Sequence, residues 1–417
     1  MSVRRIAIIG AGPVGLEAAL RARVEGYDAV VYESATVGEH FRRYGPMRLF
    51  TPFHMNSTGL GRERLRAAGV KLPADEEILT GAELRERYLL PLARLEELSG
   101  VVVEGARVIA IARDGFTKAR TGSRAGSPFL LRIQGARDAR LERADAVIDA
   151  SGVYATPNAT GPSGLPADGE ERIQEHLESH LPDLPGEARP RYAGRRILLV
   201  GDGRSAATAV ADLDELVRSG GEGAKTRVDW VHRARGGSAF APIPRTELEQ
   251  LPVLRELDQR AGRIVRESSW LRRHEGATIL SYRAIPSGAI EVTLSDPPGK
   301  ERRFEVDRVL ALVGYRPDLS LFRELQIHLC YASEGPMALA AAILGAQGSD
   351  PASGKGCLDQ VAHGPESLKN PEPDFYVLGA KSYGRNPNFL LSLGHRQIED
   401  VMTLLGAAEP RLNAAAR

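Results

Sequence analysis

The chain has 417 residues, 42% of them hydrophobic, and its 55 basic and 54 acidic residues give a formal net charge of +1. A chain of this length exceeds the size at which one hydrophobic core stops growing, so we expect two domains. The near-neutral charge favours neither nucleic acid nor an anionic membrane surface as a partner. Because the sequence has neither an apolar leader nor a run of about 18 apolar residues, we expect a cytoplasmic protein.

A glycine-rich motif near the start lies between a predicted strand, Ile6 to Ile9, and a predicted helix, Pro13 to Val24. Its sequence is Gly10-Ala11-Gly12-Pro13-Val14-Gly15. Gly10 permits the sharp exit from the strand, Gly12 leaves room for a pyrophosphate, and Gly15 lets the helix pack closely on its strand. The phosphate would meet free N–H groups and the positive end of the helix dipole. The motif therefore predicts a first dinucleotide-binding site.

The next predicted strand, Ala29 to Tyr32, ends at Glu33, which follows the last glycine by 33 − 15 = 18 residues. An acidic side chain at this position can accept hydrogen bonds from both ribose hydroxyls of an adenosine, and it repels a 2′-phosphate. The first site therefore favours FAD or NAD over NADP. The alternative is that Glu33 is an ordinary solvated strand end.

Further strands are predicted from Val101 to Ile111, from Phe129 to Ile133 and from Ala146 to Asp149. The last of them runs into Ser151-Gly152, a small-residue turn that permits close passage over the first nucleotide. The stretch from Pro157 to Gly194 is rich in proline and glycine, so we interpret it as a connector rather than a core element.

This connector contains His176 and His180, whose i, i+4 spacing could hold a metal ion on a helix. The glutamate between them is Glu178, which does not directly follow the first histidine, so the zinc-hydrolase pattern is absent. We therefore expect a solvated crossover segment here and no metal site.

A second glycine motif follows a predicted strand, Arg196 to Val200, and continues into a predicted helix. Its sequence is Gly201-Asp202-Gly203-Arg204-Ser205-Ala206. Ala206 replaces the third glycine, and its methyl group still permits close helix packing. The predicted contacts to the nucleotide in this motif are Gly201, Gly203, Ser205 and Ala206.

Basic residues end the strand that follows the second motif. This strand runs from Val228 to Val231 and leads into His232, Arg233 and Arg235, the predicted contacts at this end of the nucleotide. Guanidinium groups form paired hydrogen bonds with phosphate oxygens, so Arg233 and Arg235 are candidates for binding the 2′-phosphate of NADPH. The alternative is that these cations only face water.

The strand-to-glycine pattern recurs from Asp307 to Asp318, and an Ala-rich stretch from Met337 to Gly345 is predicted to be a buried helix. A last strand, Phe375 to Gly379, and a helix, Asn388 to Leu405, would complete the first sheet. Repetition of the nucleotide unit predicts an α/β fold of two Rossmann-like domains. We expect the FAD-binding domain to comprise residues 1–154 and 311–417, with an NADPH-binding domain, residues 155–310, inserted into it.

Cysteine usage limits the redox chemistry that the protein itself can supply. Cys330 and Cys357 are the two cysteines of the sequence, so there is neither a disulfide framework nor a Cys-x-x-Cys pair. We expect both to be buried, inert thiols. A redox pair that forms only after folding is the alternative.

The sequence resembles the flavin-containing monooxygenase branch of the flavoproteins with two dinucleotide-binding domains. The segments that carry this resemblance are the two glycine motifs, Glu33, Ser151-Gly152, Val313 to Asp318 and Leu378-Gly379. The likeness spans nearly the whole chain, and it implies bound FAD and NADPH. The branch has a Phe-x-Gly-x-x-x-His-x-x-x-Phe/Trp signature that Gly164 to Arg191 lacks, and His176 or His180 could replace its histidine. Thioredoxin-reductase-like and ferredoxin-reductase-like flavoproteins share the two glycine motifs.

The resemblance also implies further contacts to the flavin. Gly38 to Phe41 is similar to a glycine-rich loop of the family, Met47 to Pro52 to the stretch that passes beside the flavin, and Tyr376 to Leu393 to a segment that brings a helix start to its ring. The implied contacts in these segments are Phe41, Arg48, Thr51, Gly379, Lys381, Asn386 and Asn388.

Two amides are candidates for the hydrogen-bond donor near the flavin N5 atom. Asn56 follows Thr51 in the loop beside the flavin, and Asn388 lies at the predicted start of the last helix. Either asparagine could instead be an ordinary turn or N-cap residue. Arg48 is interpreted as a pyrophosphate or loop contact, because its guanidinium stays charged.

The expected function is that of an FAD- and NADPH-dependent oxidoreductase. The resemblance implies a single-component monooxygenase that uses molecular oxygen, through a C4a-hydroperoxyflavin, to oxygenate nitrogen or sulfur of a small metabolite. One alternative is an NADPH-dependent reductase of a disulfide, quinone or protein acceptor, without oxygen insertion. Another is a non-catalytic nucleotide-binding sensor. The sequence indicates neither the substrate nor the oligomeric state.

Overall fold

The computed structural model describes residues 3–135, 138–232, 240, 245–297, 299–347, 358 and 361–407. It divides into two compact units, the second of which is inserted into the chain of the first. The first unit comprises Met1–Arg42, Thr51–Thr156 and Arg316–Arg417, and the second comprises Arg43–Phe50 and Pro157–Tyr315. The assignment of FAD to one and NADPH to the other stays a prediction.

The chain first builds most of the first unit. Its strands are β1 (Arg5–Ile9), β2 (Asp28–Tyr32), β3 (Val102–Val103), β4 (Arg107–Arg113), β5 (Phe129–Gln134), β6 (Ala139–Ala144) and β7 (Ala146–Asp149). Its helices are α1 (Pro13–Val24), α2 (Glu39–Tyr44), α3 (Gly59–Ala67), α4 (Gly81–Leu84) and α5 (Leu90–Ala93). The last two residues of α2, Arg43 and Tyr44, group with the second unit. A π-helical turn, Arg85–Leu89, joins α4 to α5.

The second unit follows, and the chain then returns to the first. The strands of the second unit are β8 (Leu177–Glu178), β9 (Arg196–Val200), β10 (Arg227–His232), β11 (Leu271–Glu275), β12 (Thr278–Ala284), β13 (Ile290–Asp296), β14 (Lys300–Val306) and β15 (Arg308–Ala311). Its helices are α6 (Arg189–Tyr192), α7 (Arg204–Arg218), α8 (Arg245–Gln250) and α9 (Pro252–Glu267). The returning elements are α10 (Met337–Gln347), β16 (Phe375–Val377) and α11 (Leu391–Ala407).

Each unit contains a five-stranded parallel sheet and a three-stranded antiparallel sheet. The parallel sheets have the orders β16-β7-β1-β2-β3 and β11-β10-β9-β15-β8, and the antiparallel sheets are β4-β5-β6 and β12-β13-β14. The glycine motifs follow β1 and β9, which occupy the centre of their sheets. The predicted α/β class with two Rossmann-like domains is therefore confirmed.

The core of the first unit explains why its central strand is apolar throughout. Ile8 faces α1, since a Cβ atom at Gly15 would lie 3.6 Å from the Ile8 Cγ2 atom. Ala7 and Ile9 pack in one cluster with apolar residues of the antiparallel sheet, including Phe129. A parallel strand covered on both faces needs a continuous apolar run rather than alternation.

The single strand predicted from Val101 to Ile111 is wrong, because this segment forms two strands in two sheets. β3 pairs with β2 in the parallel sheet, whereas β4 pairs with β5 in the antiparallel sheet. Between them Gly105 has a φ of +65°, a left-handed conformation that favours glycine and turns the chain.

The interpretation of Pro157 to Gly194 as a connector is also wrong. Leu181, Leu184 and Tyr192 are buried in the core of the second unit. The stretch of the two histidines contributes β8, which pairs with β15 at the sheet edge, instead of a solvated crossover. Its apolar residues stand singly among prolines and glycines, so no periodic pattern marks them.

Two predicted helices differ from expectation in burial or in their start. α10 buries Leu339 and Ile343 but leaves Leu344 58% exposed, so it is a half-buried helix rather than a buried one. α11 begins at Leu391, not at Asn388. The backbone N–H of Asn388 donates to Asn386 Oδ1 at 3.0 Å in a turn that precedes the helix. Among the described helices, none is long and apolar enough to cross a membrane.

Candidate dinucleotide-binding sites

The first glycine loop combines two crowded glycines with an open one. Gly10 has a φ of +98°, and a Cβ atom there would lie 2.8 Å from the Ala150 oxygen. A Cβ atom at Gly15 would overlap the carbonyl oxygen of Gly10, whereas one at Gly12 would have no atom of a described residue within 4 Å. Gly12 is the N-cap of α1, without a side-chain cap, and Pro13 is the first helical residue. The loop thus has the uncapped helix N-terminus and the open position at Gly12 that diphosphate binding requires.

The second loop repeats this arrangement. Gly203 is the N-cap of α7 with φ and ψ of −83° and −173°, close to the −80° and −176° of Gly12. Among the residues that the structure describes, none lies within 4 Å of a Cβ atom at Gly203, whereas a Cβ atom at Gly201 would overlap the Leu312 oxygen. Ala206 is fully buried and Ser205 is exposed. The second loop therefore meets the same two requirements as the first.

Each loop is held by the strand that follows its helix. The N–H of Gly10 donates to the Tyr32 oxygen at 2.8 Å, and that of Gly201 donates to the Val231 oxygen at 3.1 Å. In the second unit, Trp230 Nε1 also donates to the Gly201 oxygen at 2.7 Å. Trp230 is a residue that sequence reasoning did not identify.

Glu33 directly follows β2 and is 8% exposed. Its Oε2 atom accepts from the Ala11 N–H and its Oε1 atom from the Ala35 N–H, both at 2.8 Å. A carboxylate has about four lone-pair sites, so these bonds leave acceptor capacity for ribose hydroxyls. The ribose contact stays a prediction.

The corresponding strand end in the second unit carries His232, which is 1% exposed and whose ring centroid lies 4.6 Å from that of Trp230. This burial shows that His232 packs inside the unit. Arg233 and Arg235, the predicted contacts to the 2′-phosphate, lie outside the described residues.

A buried ion pair lies at the carboxyl edge of the first sheet. Lys381 Nζ donates to Asp149 Oδ2 at 2.6 Å and to Ser151 Oγ at 3.1 Å. Ser151 Oγ in turn donates to Asp149 Oδ1 at 2.6 Å. Lys381 and Asp149 are 1% and 0% exposed. The pair joins the end of β7 to the segment after β16, and Asp149, the polar end of an apolar strand, was missed by sequence reasoning.

Glycines occupy the turns on either side of this pair. Gly152 and Gly379 both have a φ of +70°. The N–H of Gly379 donates to Gln397 Oε1 of α11 at 2.8 Å, and a Cβ atom at Gly379 would lie 3.4 Å from Val14 Cγ2 of α1. The predicted cofactor residues Gly152, Ser151, Gly379 and Lys381 are therefore gathered at one edge of the sheet, next to the start of α1.

Asn56 uses its whole amide within its own loop. Its Nδ2 atom donates to the carbonyl oxygens of Thr51 at 2.9 Å and Pro52 at 3.1 Å. Its Oδ1 atom accepts from Thr51 Oγ1 at 2.9 Å. Both amide hydrogens therefore bind carbonyl oxygens, which makes Asn56 a residue that shapes the loop. Its role as a donor to the flavin stays a prediction.

The other segments implied by the resemblance are divided between the units. Phe41 is buried in the first unit, where the neighbouring His40 ring stacks on Tyr154 with centroids 3.7 Å apart. Arg48 is exposed and belongs to the stretch that groups with the second unit. Asn388 is half-buried in the turn before α11. None of these contacts to a cofactor is tested by the structure.

A buried carboxyl group on α1 was missed by sequence reasoning. Glu17 is 1% exposed and accepts hydrogen bonds from Tyr88 Oη and, at 2.7 Å, from Thr58 Oγ1. Burial raises the pKa of Glu17, against the opposing effect of these donors. Tyr88 lies in the π-helical turn and Thr58 caps α3. Glu17 thus fixes α1 against the segment that contains Asn56.

The structure describes one of the two cysteines. Cys330 is buried, as predicted, and forms no disulfide within the described part of the chain. Hydrogen bonds from Ser333 lower the pKa of the Cys330 thiol. Cys357 lies outside the described residues. Among the residues that are described, no group of three His, Cys, Asp or Glu side chains could hold a metal ion.

Known proteins resemble this chain in part of its sequence and in its fold. Residues 7–118 match the family described as pyridine nucleotide-disulphide oxidoreductase. No curated protein matches the sequence. The bacillithiol disulfide reductase of Bacillus cereus is similar in structure with a TM-score of 0.68 at 18% identity, over 97% of this chain and 100% of that chain.

Two oxygenating enzymes are similar over a comparable length. The cadaverine monooxygenase of Erwinia amylovora, solved bound to FAD, has a TM-score of 0.63 at 13% identity, over 98% of this chain and 96% of its own. The ornithine N-hydroxylase of Kutzneria sp. 744, solved with reduced FAD, NADP+ and L-ornithine, has a TM-score of 0.60 at 17% identity. The likeness covers 97% of this chain and 100% of the hydroxylase. These likenesses confirm, for the fold, the resemblance to flavoproteins with two dinucleotide-binding domains.

Proposed function

We propose that this protein is an FAD- and NADPH-dependent oxidoreductase that holds FAD at the loop of Gly12 and NADPH at the loop of Gly203. The observation that carries the proposal is the pair of equivalent, open helix N-termini, one followed by the acidic Glu33 and the other by a basic sequence. Free N–H groups at each helix start bind a diphosphate without a basic side chain. Bound FAD would supply hydride acceptance and electron delivery, while the protein supplies binding and orientation.

Within this class we propose a single-component monooxygenase that acts on nitrogen or sulfur of a small metabolite, with molecular oxygen as the second substrate. Two observations support this choice. The sequence has no Cys-x-x-Cys pair, the usual route for electrons to a disulfide. The fold is similar to that of a cadaverine monooxygenase and an ornithine N-hydroxylase. The buried side chains of Phe41, Tyr154 and Lys381 would help to exclude water from the reaction.

The second candidate is an NADPH-dependent reductase that passes electrons to a disulfide, quinone or protein acceptor without oxygen insertion. It is favoured by the fold likeness to a bacillithiol disulfide reductase, with its TM-score of 0.68, and by the description of the matching family. A non-catalytic nucleotide sensor is the third candidate. Against it stands the second loop, which keeps both its glycines and its open space at Gly203.

One experiment distinguishes the three candidates. The purified protein is reduced with NADPH under nitrogen and then mixed with oxygenated buffer in a stopped-flow spectrometer. A transient absorbing species that precedes the oxidised flavin supports the monooxygenase. Direct return of the oxidised flavin supports the reductase. Absence of flavin, or of reduction by NADPH, leaves the sensor.

The coenzyme choice is tested separately at the end of β10. The double variant Arg233→Ala/Arg235→Ala should raise the KM for NADPH far more than the KM for NADH, because NADH carries no 2′-phosphate. Arg218→Ala is the control, since Arg218 ends α7 with a side chain that is 76% exposed. Equal effects on both coenzymes would contradict the assignment of these arginines.

A further inference from the structure

The second glycine loop contains a cation that the nucleotide-binding fingerprint does not require. Arg204 is the first residue of α7 and follows Gly203, the open N-cap of that helix. The fingerprint sets no residue type at this position. A guanidinium group at the start of a helix adds a full charge to the partial positive charge of the helix N-terminus.

The guanidinium of Arg204 is held by a buried carboxylate. Arg204 Nη2 donates to Glu247 Oε2 of α8, and Glu247 is 0% exposed. Burial raises the pKa of the Tyr44 hydroxyl to about 12, and the Arg204 charge opposes this effect. The side chain of Arg204 itself remains 32% exposed. Glu247 therefore holds the guanidinium of Arg204 in place, while part of the Arg204 side chain faces solvent.

The Nε donor of this guanidinium is not used by Glu247, which accepts from Nη2. Arg204 Nε is shielded from solvent and has no hydrogen-bond partner within the described part of the chain. A buried donor without an acceptor costs about 1–3 kcal/mol, which a ligand oxygen would recover. A phosphate oxygen is the acceptor that a guanidinium binds most strongly.

We propose that Arg204, oriented by Glu247, binds the diphosphate of the coenzyme at the second loop and so sets the affinity for NADPH and NADH alike. This inference rests on the proposed function, because it presumes a nicotinamide coenzyme at Gly203. Arg204 is distinct from Arg233 and Arg235, whose predicted partner is the 2′-phosphate. Arg204 thereby supplies affinity, and the two arginines after β10 supply the preference for NADPH.

The test uses the FAD-loaded protein and three ligands that share the diphosphate: NADP+, NAD+ and ADP-ribose. Isothermal titration calorimetry measures their affinities for the wild type and for Arg204→Gln. Loss of a charge-assisted contact should weaken all three ligands by the same factor, about 10- to 100-fold. Arg218→Gln, at the opposite end of α7, is the matched control and should change none of the affinities.

Several outcomes would overturn the inference. If Arg204→Gln binds all three ligands as the wild type does, Arg204 does not contact the diphosphate. If only NADP+ weakens, Arg204 binds the 2′-phosphate instead. If the wild type binds none of the ligands although it contains FAD, the assignment of NADPH to the second loop fails, and the inference fails with it.

Two further variants separate a direct contact from a structural effect. Arg204→Lys keeps a cation for Glu247 but lacks the guanidinium fork, so it should weaken all three ligands by a smaller common factor. Glu247→Gln should weaken ADP-ribose through Arg204, because Glu247 is a positioning residue. Its effect should therefore vanish in the Arg204→Gln background. An undiminished effect in the double variant would show that Glu247 acts only on the fold.

Discussion

Glu33 Oε2 accepts a 2.8 Å hydrogen bond from the backbone N–H of Ala11, which ties the carboxylate at the end of β2 to the glycine loop at the end of β1. The same side chain also accepts from the Ala35 N–H. Glu33 therefore fixes the shape of the loop, besides its predicted contact to ribose. Both effects require an acceptor at this place.

Replacement of Glu33 by alanine should release FAD. Two N–H groups lose a buried acceptor, at about 1–3 kcal/mol each, so we expect FAD affinity to fall by at least about tenfold. The ratio of FAD to protein after exhaustive dialysis measures this loss. Glu25→Gln is the control, because its exposed ion pair with Arg21 should contribute little. A Glu33→Ala protein that retains FAD as well as the control does would contradict the assignment.

The glycines of the first loop should separate cofactor binding from folding. Gly12→Val should lose its flavin, yet its free energy of unfolding should lie within about 1 kcal/mol of flavin-free wild type, since its side chain meets open space among the described residues. Gly15→Ala should destabilise the fold by about 1–3 kcal/mol or more, because its methyl group overlaps the Gly10 oxygen. Urea denaturation and flavin content provide the two measurements. A yellow Gly12→Val protein would refute the site.

Removal of one partner of the Lys381–Asp149 pair should be costly. Lys381→Met leaves Asp149 buried without its cation, so we expect a loss of about 3–5 kcal/mol in the free energy of unfolding. The double variant Lys381→Met/Asp149→Asn should lose less than the sum of its single variants. Denaturant titration of all four proteins completes the cycle. Simple additivity would show that the two side chains do not interact.

His395 should make stability depend on pH. Burial, followed by the Arg62 charge, lowers the pKa of His395 to about 4, from an ordinary value of 6.5. Because the folded-state value is the lower one, the stability that the neutral ring contributes is fully present above pH 6.5. It is lost as the pH falls towards 4.

When the pH falls from 6.5 to 4, we therefore expect the free energy of unfolding of His395→Gln to decrease by about 1–3 kcal/mol less than that of the wild type. Urea denaturation at each pH measures the difference. His54→Gln is the control, because the His54 side chain is 41% exposed. If the free energy of unfolding depends on pH in the same way for the wild type and His395→Gln, the lowered pKa of His395 would be contradicted.

An element could be predicted from the sequence where its local helix or strand signals agree with its tertiary packing. α1 spans Pro13–Val24 as predicted, because its glycine N-cap, its proline at the first position and the sheet behind it all favour the same helix. β3 was harder to foresee. It has only two residues, and Gly105, which separates it from β4, follows Glu104 in a segment that is otherwise rich in valine, isoleucine and alanine.

Most of the polar contacts that could not be predicted from the sequence join side chains that are distant from each other along the chain. Asp149 and Lys381 are 232 residues apart, and their ion pair forms only when β16 joins the sheet beside β7. Glu247 carries no pattern that would assign it to Arg204, since its partner belongs to another helix. Pattern reasoning thus identified the glycine loops, whose geometry is local, but not the polar groups that hold them.

The most direct test of the account is an anaerobic titration with NADPH of the wild type and of Gly203→Val, followed by the visible absorbance of the flavin. A valine at Gly203 meets open space among the described residues but occupies the place proposed for the diphosphate. We predict that NADPH, in an amount equal to the flavin, reduces the wild type, whereas the variant retains FAD and is not reduced. Equal reduction of both proteins, or a wild type that NADPH does not reduce, would contradict the account.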